Sequence, residues 1–336
     1  MTKVVITGMG HSYPGNVIEN EFFDSLDIGS SSEWIVDRVG IEQRHSVLTK
    51  EQITDLRFNK TTHVELAKNN LIPSIADICI EPWEIAWNRS SESGSPVNID
   101  HLICGTSTAD WEIPANACTI ANELGIMPTS FDVNSACSSF IVNMHVARNL
   151  LIGDSAKSIA IFNPERYSTR MNYQDRANCV LFGDGASACI IEKGDDLKGL
   201  EVIDTIVKSN PSGYRHVTIP FGDTFQQNGK AVQKFAISKT IAVTLEILEK
   251  HGLTKNDMSY FIGHQANLRM LTSACNKQNV GPERHLFNVN KRGNQGAAGA
   301  PNVLSENWDK YKSGDIIVVA VVGSGLTWGA ALLKVI

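Results

Sequence analysis

Two spacings of apolar residues alternate along the chain. Short runs rich in β-branched side chains predict strands at KVVITGMG from Lys3, HLICGT from His101, SIAIF from Ser158, SACIIE from Ser187, YFIGHQ from Tyr260, IIVVAVVG from Ile316 and AALLKVI from Ala330. Between them, apolar positions at helical spacing predict helices. One covers FAISKTIAVTLEILEKHG, with Phe235, Ile241, Leu245 and Leu248 assigned to one face and Gly252 at the end. Another follows Cys137, where Phe140, Met144, Ala147 and Leu151 recur and Gly153 closes the pattern. Strands alternating with helices indicate an α/β protein. Two halves of similar rhythm, 1–194 and 195–336, are expected. The polar, turn-rich NRSSESGSPV from Asn88 to Val97 is expected to be an exposed insertion. The irregular stretch from Ser209 to Lys230 is read as a substrate-side excursion.

Composition narrows the class. At 42% hydrophobic and 20% charged, the chain has the makeup of a soluble globular protein, and its net charge of −6 argues against a broad nucleic-acid footprint. The longest apolar run, at Ile316, is too short and too β-branched for a membrane span, and MTKVVITGMG lacks a signal-peptide layout, so a cytoplasmic protein is expected. The seven cysteines are odd in number and widely spaced, with no CxxC pair, which argues against a disulfide framework and against zinc. Most of them sit in apolar surroundings and read as core filler.

Cys137 differs. In FDVNSACSSF it is bracketed by small residues, follows a strand and opens a helix. That position directs unpaired N–H groups and the helix dipole at the sulfur, which predicts a lowered thiol pKa. His264, in FIGHQANLRML, ends another strand, and Asn294, in NKRGNQGAAGAP, stands in a glycine-rich turn before a helix. Taken singly, the histidine reads as a structural residue and the asparagine as a turn residue. Together they put a thiol, an imidazole and a carboxamide at strand-to-helix junctions, which converge on one edge of a parallel sheet. Gly323-Ser324-Gly325 joins the last two strands and exposes backbone N–H groups suited to an oxyanion, although alone it is an ordinary hairpin turn.

These segments resemble the β-ketoacyl-acyl-carrier-protein synthase III family of the thiolase superfamily. The resemblance runs in order through SSEWIVDRVGIEQRH, DVNSACSSF, DRANCVLFGDGASA, GHQANLRML, GNQGAAGAP and GSGLTWGAAL, covering nearly the whole chain. It implies a thiolase-like fold, two related α/β halves in a layered αβαβα arrangement, acting as a homodimer. It further implies that Cys137 is acylated from an acyl-CoA primer, and that His264 and Asn294 serve the enolate of a decarboxylating malonyl-acyl-carrier protein. The N–H groups of Cys137 and Ser324 would hold the oxyanion. Trp34, Arg38, Asn267 and Arg269 match coenzyme A positions. Arg269, Lys277, Lys291 and Arg292 would form a basic rim for the acidic carrier. No cofactor or metal is implied, since coenzyme A and the carrier protein act as substrates; neither a nucleic acid nor a membrane is an expected partner.

The chain departs from the family pattern around the acyl pocket. Val322 stands where an aromatic residue is usual before the glycine turn, and Ile113, beside Trp111, where a phenylalanine usually reaches across the dimer. These changes predict a primer larger or more polar than acetyl, unless Trp111 or Tyr214 refills the space. Two other readings stay open at this stage: a specialised relative with an unusual primer or another acceptor, and a non-catalytic partner subunit of a condensing complex.

Overall fold

The computed structural model describes residues 2–93 and 98–336. Ten strands form one sheet: β1 (Lys3–Ser12), β2 (His101–Cys104), β3 (Thr129–Asp132), β4 (Ser158–Arg166), β5 (Asp184–Gly194), β6 (Leu200–Ser209), β7 (Tyr260–Gly263), β8 (His285–Leu286), β9 (Ile316–Gly323) and β10 (Thr327–Val335). Their order is β8-β7-β9-β10-β6-β1-β5-β4-β2-β3. From the centre outward each half reads first, fifth, fourth, second, third strand. The pairing senses repeat too: β2 is parallel to β3 and β4, as β7 is to β8 and β9, and the inner pairs are antiparallel. The halves join where Val5 and Ile6 pair antiparallel with Glu201 and Leu200.

Helix α1 (Ser32–Val39) packs in a separate apolar cluster with Phe182 and Leu271, while α2 (Ile80–Glu92), α3 (Asn116–Glu123), α4 (Ser139–Ile152), α5 (Gly229–Lys250), α6 (Leu268–Gln278) and α7 (Gly299–Glu306) cover the sheet. Side-chain alternation shows the layering. In β9, Ile317, Val319 and Val321 pack inward with Phe140, Met144 and Leu151 of α4 and Val303 of α7. Val318, Ala320 and Val322 point the other way, onto Val243 and Ile247 of α5. In β4, Ile159 and Ile161 join the inner cluster, while Ala160 and Phe162 face Trp83 and Ala86 of α2 and Ile120 of α3. Helices α4 and α7 are therefore the central layer of an αβαβα stack. Strands buried on both faces need apolar residues at every position, which explains the unbroken run at Ile316.

Several expectations need correction. The buried face of α5 is Ala236, Thr240, Val243, Thr244, Ile247 and Leu248, while Leu245 is 44% exposed. The helix also starts at Gly229, where the Asn228 side chain accepts the Ala231 N–H. The expected insertion begins inside α2, which runs to Glu92 with Ser90 buried; residues 94–97 lie outside the described residues. Cys118 is exposed, whereas Cys79, Cys104, Cys179, Cys189 and Cys275 are buried.

Candidate active site

The turn bearing Cys137 is built from its small residues. Ala136 takes φ +48°, a left-handed conformation that costs about 1–2 kcal/mol for a residue with a Cβ. Serine hydroxyls hold the turn: Ser138 Oγ donates to Ser135 O at 2.6 Å, Ser139 Oγ donates to Ala136 O at 2.7 Å, and the Ser135 N–H donates to Ser139 Oγ at 2.8 Å. A short 3-10 turn, Ala136–Ser138, then feeds α4. Glycine lets the hairpin turn come close: a Cβ at Gly323 would lie 2.7 Å from Ser138 N and 3.0 Å from Ser135 O. Gly323→Ala is accordingly expected to destabilise the protein by about 1–3 kcal/mol and to lower acylation of Cys137, read by thermal melting and intact mass. Wild-type melting and labelling together would remove the close approach as a requirement.

Asn294 occupies the counterpart turn of the second half, before the 3-10 turn Gly296–Ala298 and α7. It bridges Phe182 in parallel fashion, its N–H donating to Leu181 O at 2.8 Å and its C=O accepting the Gly183 N–H at 3.0 Å. Gly183 is glycine because a Cβ there would meet Arg292 O at 2.1 Å. The Asn294 Oδ1 accepts the Gly296 N–H at 3.0 Å, which leaves the amide NH2 group to donate elsewhere. His264 follows β7. Burial lowers its pKa to about 4, so the ring is neutral at ordinary pH, and Nδ1 has no hydrogen-bond partner.

Cys137, His264, Asn294 and Ser324 all line one cavity of about 600 Å³. Trp34, Arg38 and Asn267 line it as well, together with Val217, Phe225, Gln227 and Lys230 from the irregular excursion. The excursion also steadies the hairpin turn, since Ser324 Oγ donates to Val217 O at 2.5 Å. Asn267 has a second job as the N-cap of α6, its side chain accepting the Met270 N–H at 3.1 Å. Arg269 lies outside the cavity lining; it is exposed and donates to Val36 O of α1 at 3.3 Å.

The thiol expectation is overturned. Burial, then the charge of Glu165, pushes Cys137 up to about 12, and hydrogen bonds from Tyr167 and the backbone only partly offset this. The helix start does not outweigh desolvation in so enclosed a turn. Glu165 and Tyr167 themselves were not picked out in the sequence. Glu165 is fully buried and pushed up to about 8 by desolvation. Its oxygens accept the Ala297 N–H at 3.2 Å, the Ser107 N–H at 3.1 Å and the Thr106 and Thr108 hydroxyls at 3.3 and 3.2 Å. Tyr167 places its hydroxyl 3.8 Å from Cys137 Sγ. Arg176 is a third residue missed: its guanidinium lies 5.0 Å from the Trp34 ring centre, nearer than that of Arg38 at 5.9 Å. It lies at the start of the resembling segment DRANCVLFGDGASA, but nothing there singles it out from its neighbours.

The expected basic rim is only partly assembled. Lys277 faces a groove with Lys230 and Lys234 that continues from the cavity mouth, and Lys291 is exposed. Arg292 is not a free rim cation. It lies 3.9 Å over the Tyr13 ring, donates to His45 Nε2 at 2.6 Å and pairs with Glu306 at 3.4 Å. Of the expected primer pocket, Val322 lines the cavity, but Trp111 and Ile113 do not. They sit on the chain's surface, 60% and 85% exposed.

Comparison with solved structures gives the class. The 3-oxoacyl-[acyl-carrier-protein] synthase III of Aquifex aeolicus matches 99% of this chain and 100% of its own, with TM-score 0.86 and 29% identity. The priming β-ketosynthase of the R1128 polyketide pathway shares the fold at TM-score 0.84 and 22% identity. This is a thiolase-fold condensing enzyme of the acyltransferase type. Sequence narrows it further. Residues 131–211 match the family model for 3-oxoacyl-[acyl-carrier-protein (ACP)] synthase III, and residues 248–335 match that of its C-terminal region. The β-ketoacyl-[acyl-carrier-protein] synthase III of Syntrophomonas wolfei is 31% identical over 99% of this chain and 97% of its own; that of Clostridium perfringens is 32% identical over 99% and 100%. The chain belongs to the β-ketoacyl-acyl-carrier-protein synthase III family.

Proposed function

We propose that the protein starts acyl chains: Cys137 takes an acyl group from an acyl-CoA and condenses it with malonyl-acyl-carrier protein. The observation that carries this reading is the convergence of Cys137, His264, Asn294 and Ser324 on one cavity that runs out to Trp34, Arg38 and Asn267. The Cys137 thiolate attacks the thioester carbonyl, the N–H groups of Cys137 and Ser324 hold the oxyanion, and coenzyme A leaves as its thiolate. Malonyl-carrier protein then binds and loses carbon dioxide. The resulting enolate accepts hydrogen bonds from the neutral His264 and the Asn294 amide. Its carbon attacks the acyl-Cys137 carbonyl, a carbon–carbon bond forms, and the Cys137 thiolate is expelled. The products are a β-ketoacyl-carrier protein, coenzyme A and carbon dioxide.

Trp34, Arg176 and Arg38 would hold the adenine end of coenzyme A, by stacking and charge. The expected homodimer has support in Trp111, Ile113 and Met127, the last 98% exposed, close to the open edge strand β3. Asp132 of that strand fixes the loop end, accepting the N–H groups of Asn116 and Ala117 at 2.8 and 2.9 Å. Ile113 would then reach the partner's acyl pocket. The two halves would divide in the loop between Gly194 and Leu200, which agrees with a boundary near residue 195. A reducing, cytoplasmic setting fits seven free cysteines, and among the described residues no helix is long and apolar enough to cross a membrane. The described residues contain no cluster arranged to hold a metal ion.

The test is a panel of acyl-CoAs, read first by intact mass of the protein and then, with malonyl-carrier protein, by β-ketoacyl product. Acylation without product would point to another acceptor; no acylation from any acyl-CoA would overturn the reading. The carrier has its own test. Lys291→Glu is expected to slow the carrier-dependent step roughly 3- to 10-fold at low salt, less at high salt, and to leave self-acylation unchanged. Arg292→Glu is expected instead to lower thermal stability, because it faces Glu306. Equal carrier kinetics in Lys291→Glu would take Lys291 out of the docking surface.

A further inference from the structure

A buried thiol beside a buried carboxyl group is poorly placed to ionise, yet the proposed chemistry needs a thiolate twice, once to attack and once to depart. Glu165, from β4, is occupied by the N–H groups of Ala297 and Ser107 and the hydroxyls of Thr106 and Thr108, and none of its hydrogen bonds reaches the sulfur. His264 lines the same cavity from the end of β7. Among the described residues, Tyr167 is the one side chain that hydrogen-bonds Cys137 Sγ, at 3.8 Å.

The hydroxyl is held there by the packing of its ring. Tyr167 is 1% exposed. Its ring stacks on Phe182 at a centroid distance of 4.5 Å and 27°, and meets Phe225 edge-on at 6.1 Å. Phe182 is itself bridged to Asn294. On a further side lies Gly296, where a Cβ would come within 2.4 Å of Tyr167 Cε2. A ring confined on these sides cannot swing its hydroxyl away from the sulfur without moving the Asn294 turn.

We propose that Tyr167 is a positioning residue for the nucleophile: its hydroxyl donates to the Cys137 thiolate, stabilising the charge and fixing the direction from which the sulfur meets an incoming thioester. The inference rests on Cys137 being the acylated group. A thiolate is an acceptor only, and burial raises the phenol well above its ordinary pKa, so Tyr167 stays the donor throughout. The proton lost by the thiol passes to a base in the solvent through the open cavity, and the tyrosine keeps its own. Once the sulfur becomes a thioester its charge is gone and the bond weakens. When condensation expels the thiolate, the bond returns. The donor therefore favours both attack and departure over the acyl-enzyme between them.

Tyr167→Phe removes one oxygen and keeps the stacked ring. Alkylation of Cys137 by iodoacetamide, followed by intact mass between pH 6 and about 10, lies on the rising limb below a thiol pushed up to about 12, and in the variant that limb is expected to be displaced toward higher pH. At fixed neutral pH the variant should alkylate about threefold more slowly, because a roughly tenfold smaller thiolate fraction is partly offset by the greater nucleophilicity of a more basic sulfur. Self-acylation by acyl-CoA should fall in kcat with KM unchanged. Tyr167→Leu, lacking both ring and hydroxyl, should give the same pH shift. A wild-type alkylation profile in Tyr167→Phe overturns the proposal, as does a shift seen only in Tyr167→Leu, which would assign the effect to ring packing. Label that persists in Cys137→Ala would instead refute the nucleophile assignment.

Discussion

Cys137→Ala is expected to take up no acyl group under conditions where the wild-type protein gains the mass of one, and to lose condensation by a factor on the order of 10⁴ or more. Access is the reason. Cys137 is the cysteine that lines the cavity, whereas Cys79, Cys104 and Cys189 are buried with thiols raised far from ionisation. Cys118 is exposed but belongs to a separate groove beside Trp111 and Pro114. The variant should fold. Its turn is held by serine hydroxyls and backbone groups, and replacing a sulfur at the cavity wall is a small change, within about 1 kcal/mol. Because burial pushes the thiol up to about 12, the thiolate fraction, and with it the initial acylation rate, should climb as pH rises through neutrality. Equal labelling of wild type and variant would refute the assignment.

His264→Ala and Asn294→Ala are expected to separate the two half-reactions. Both should still self-acylate, and both should lose malonyl decarboxylation by about 10²–10³, the usual cost of one donor to a developing oxyanion. Asn294→Asp should be at least as impaired, since a carboxylate would face the enolate. The pH dependence carries the sign. Burial holds His264 neutral until pH falls to about 4, so decarboxylation should show no inflection from this group between pH 8 and 5. A rate that titrates near 6.5 in wild type and not in His264→Gln would contradict that placement. Wild-type decarboxylation in both alanine variants would take the enolate role away from His264 and Asn294.

Much of this architecture could be read from the residues, and the misses have physical causes. The strands at Ser158 and Ile316 are covered on both faces and announce themselves as continuous apolar runs. β6 does not, because Glu201, Asp204 and Lys208 interrupt it. Asp204 pairs with Lys250 at 2.6 Å and His251 at 2.9 Å, and Lys208 with Glu246 at 2.6 Å. β3 is an edge strand with one apolar residue among Thr129–Asp132, and β8 has two residues in all. The meeting of Cys137, His264 and Asn294 at one cavity was legible from the local pattern around each, although Asn294 follows the short helix Val289–Arg292 and not a strand. Glu165, Tyr167 and Arg176 reach the site through packing between distant segments, which no spacing along the chain reveals. Arg292 was misjudged for a related reason, since a cation over a tyrosine ring reads in sequence like one in water. The volume argument from Val322 keeps its premise, since Val322 lines the cavity. Neither Trp111 nor Tyr214 lines the cavity, while Phe182 and Phe225 do, with Tyr167 packed behind them.

The repeated strand order has an evolutionary consequence. The turn bearing Cys137 and the turn bearing Asn294 follow the third strand of their halves and lead into the two helices of the central layer. In a one-unit ancestor these would be a single position, brought face to face with itself by pairing of two identical subunits. Such a pair could offer two thiols or two carboxamides, never one of each. A duplication within one gene would lift that restriction, letting one copy keep a thiol while the other took a carboxamide. Severed between Gly194 and Leu200, the chain is expected to yield two fragments, neither competent alone, with condensation recovered only when mixing brings the two turns together.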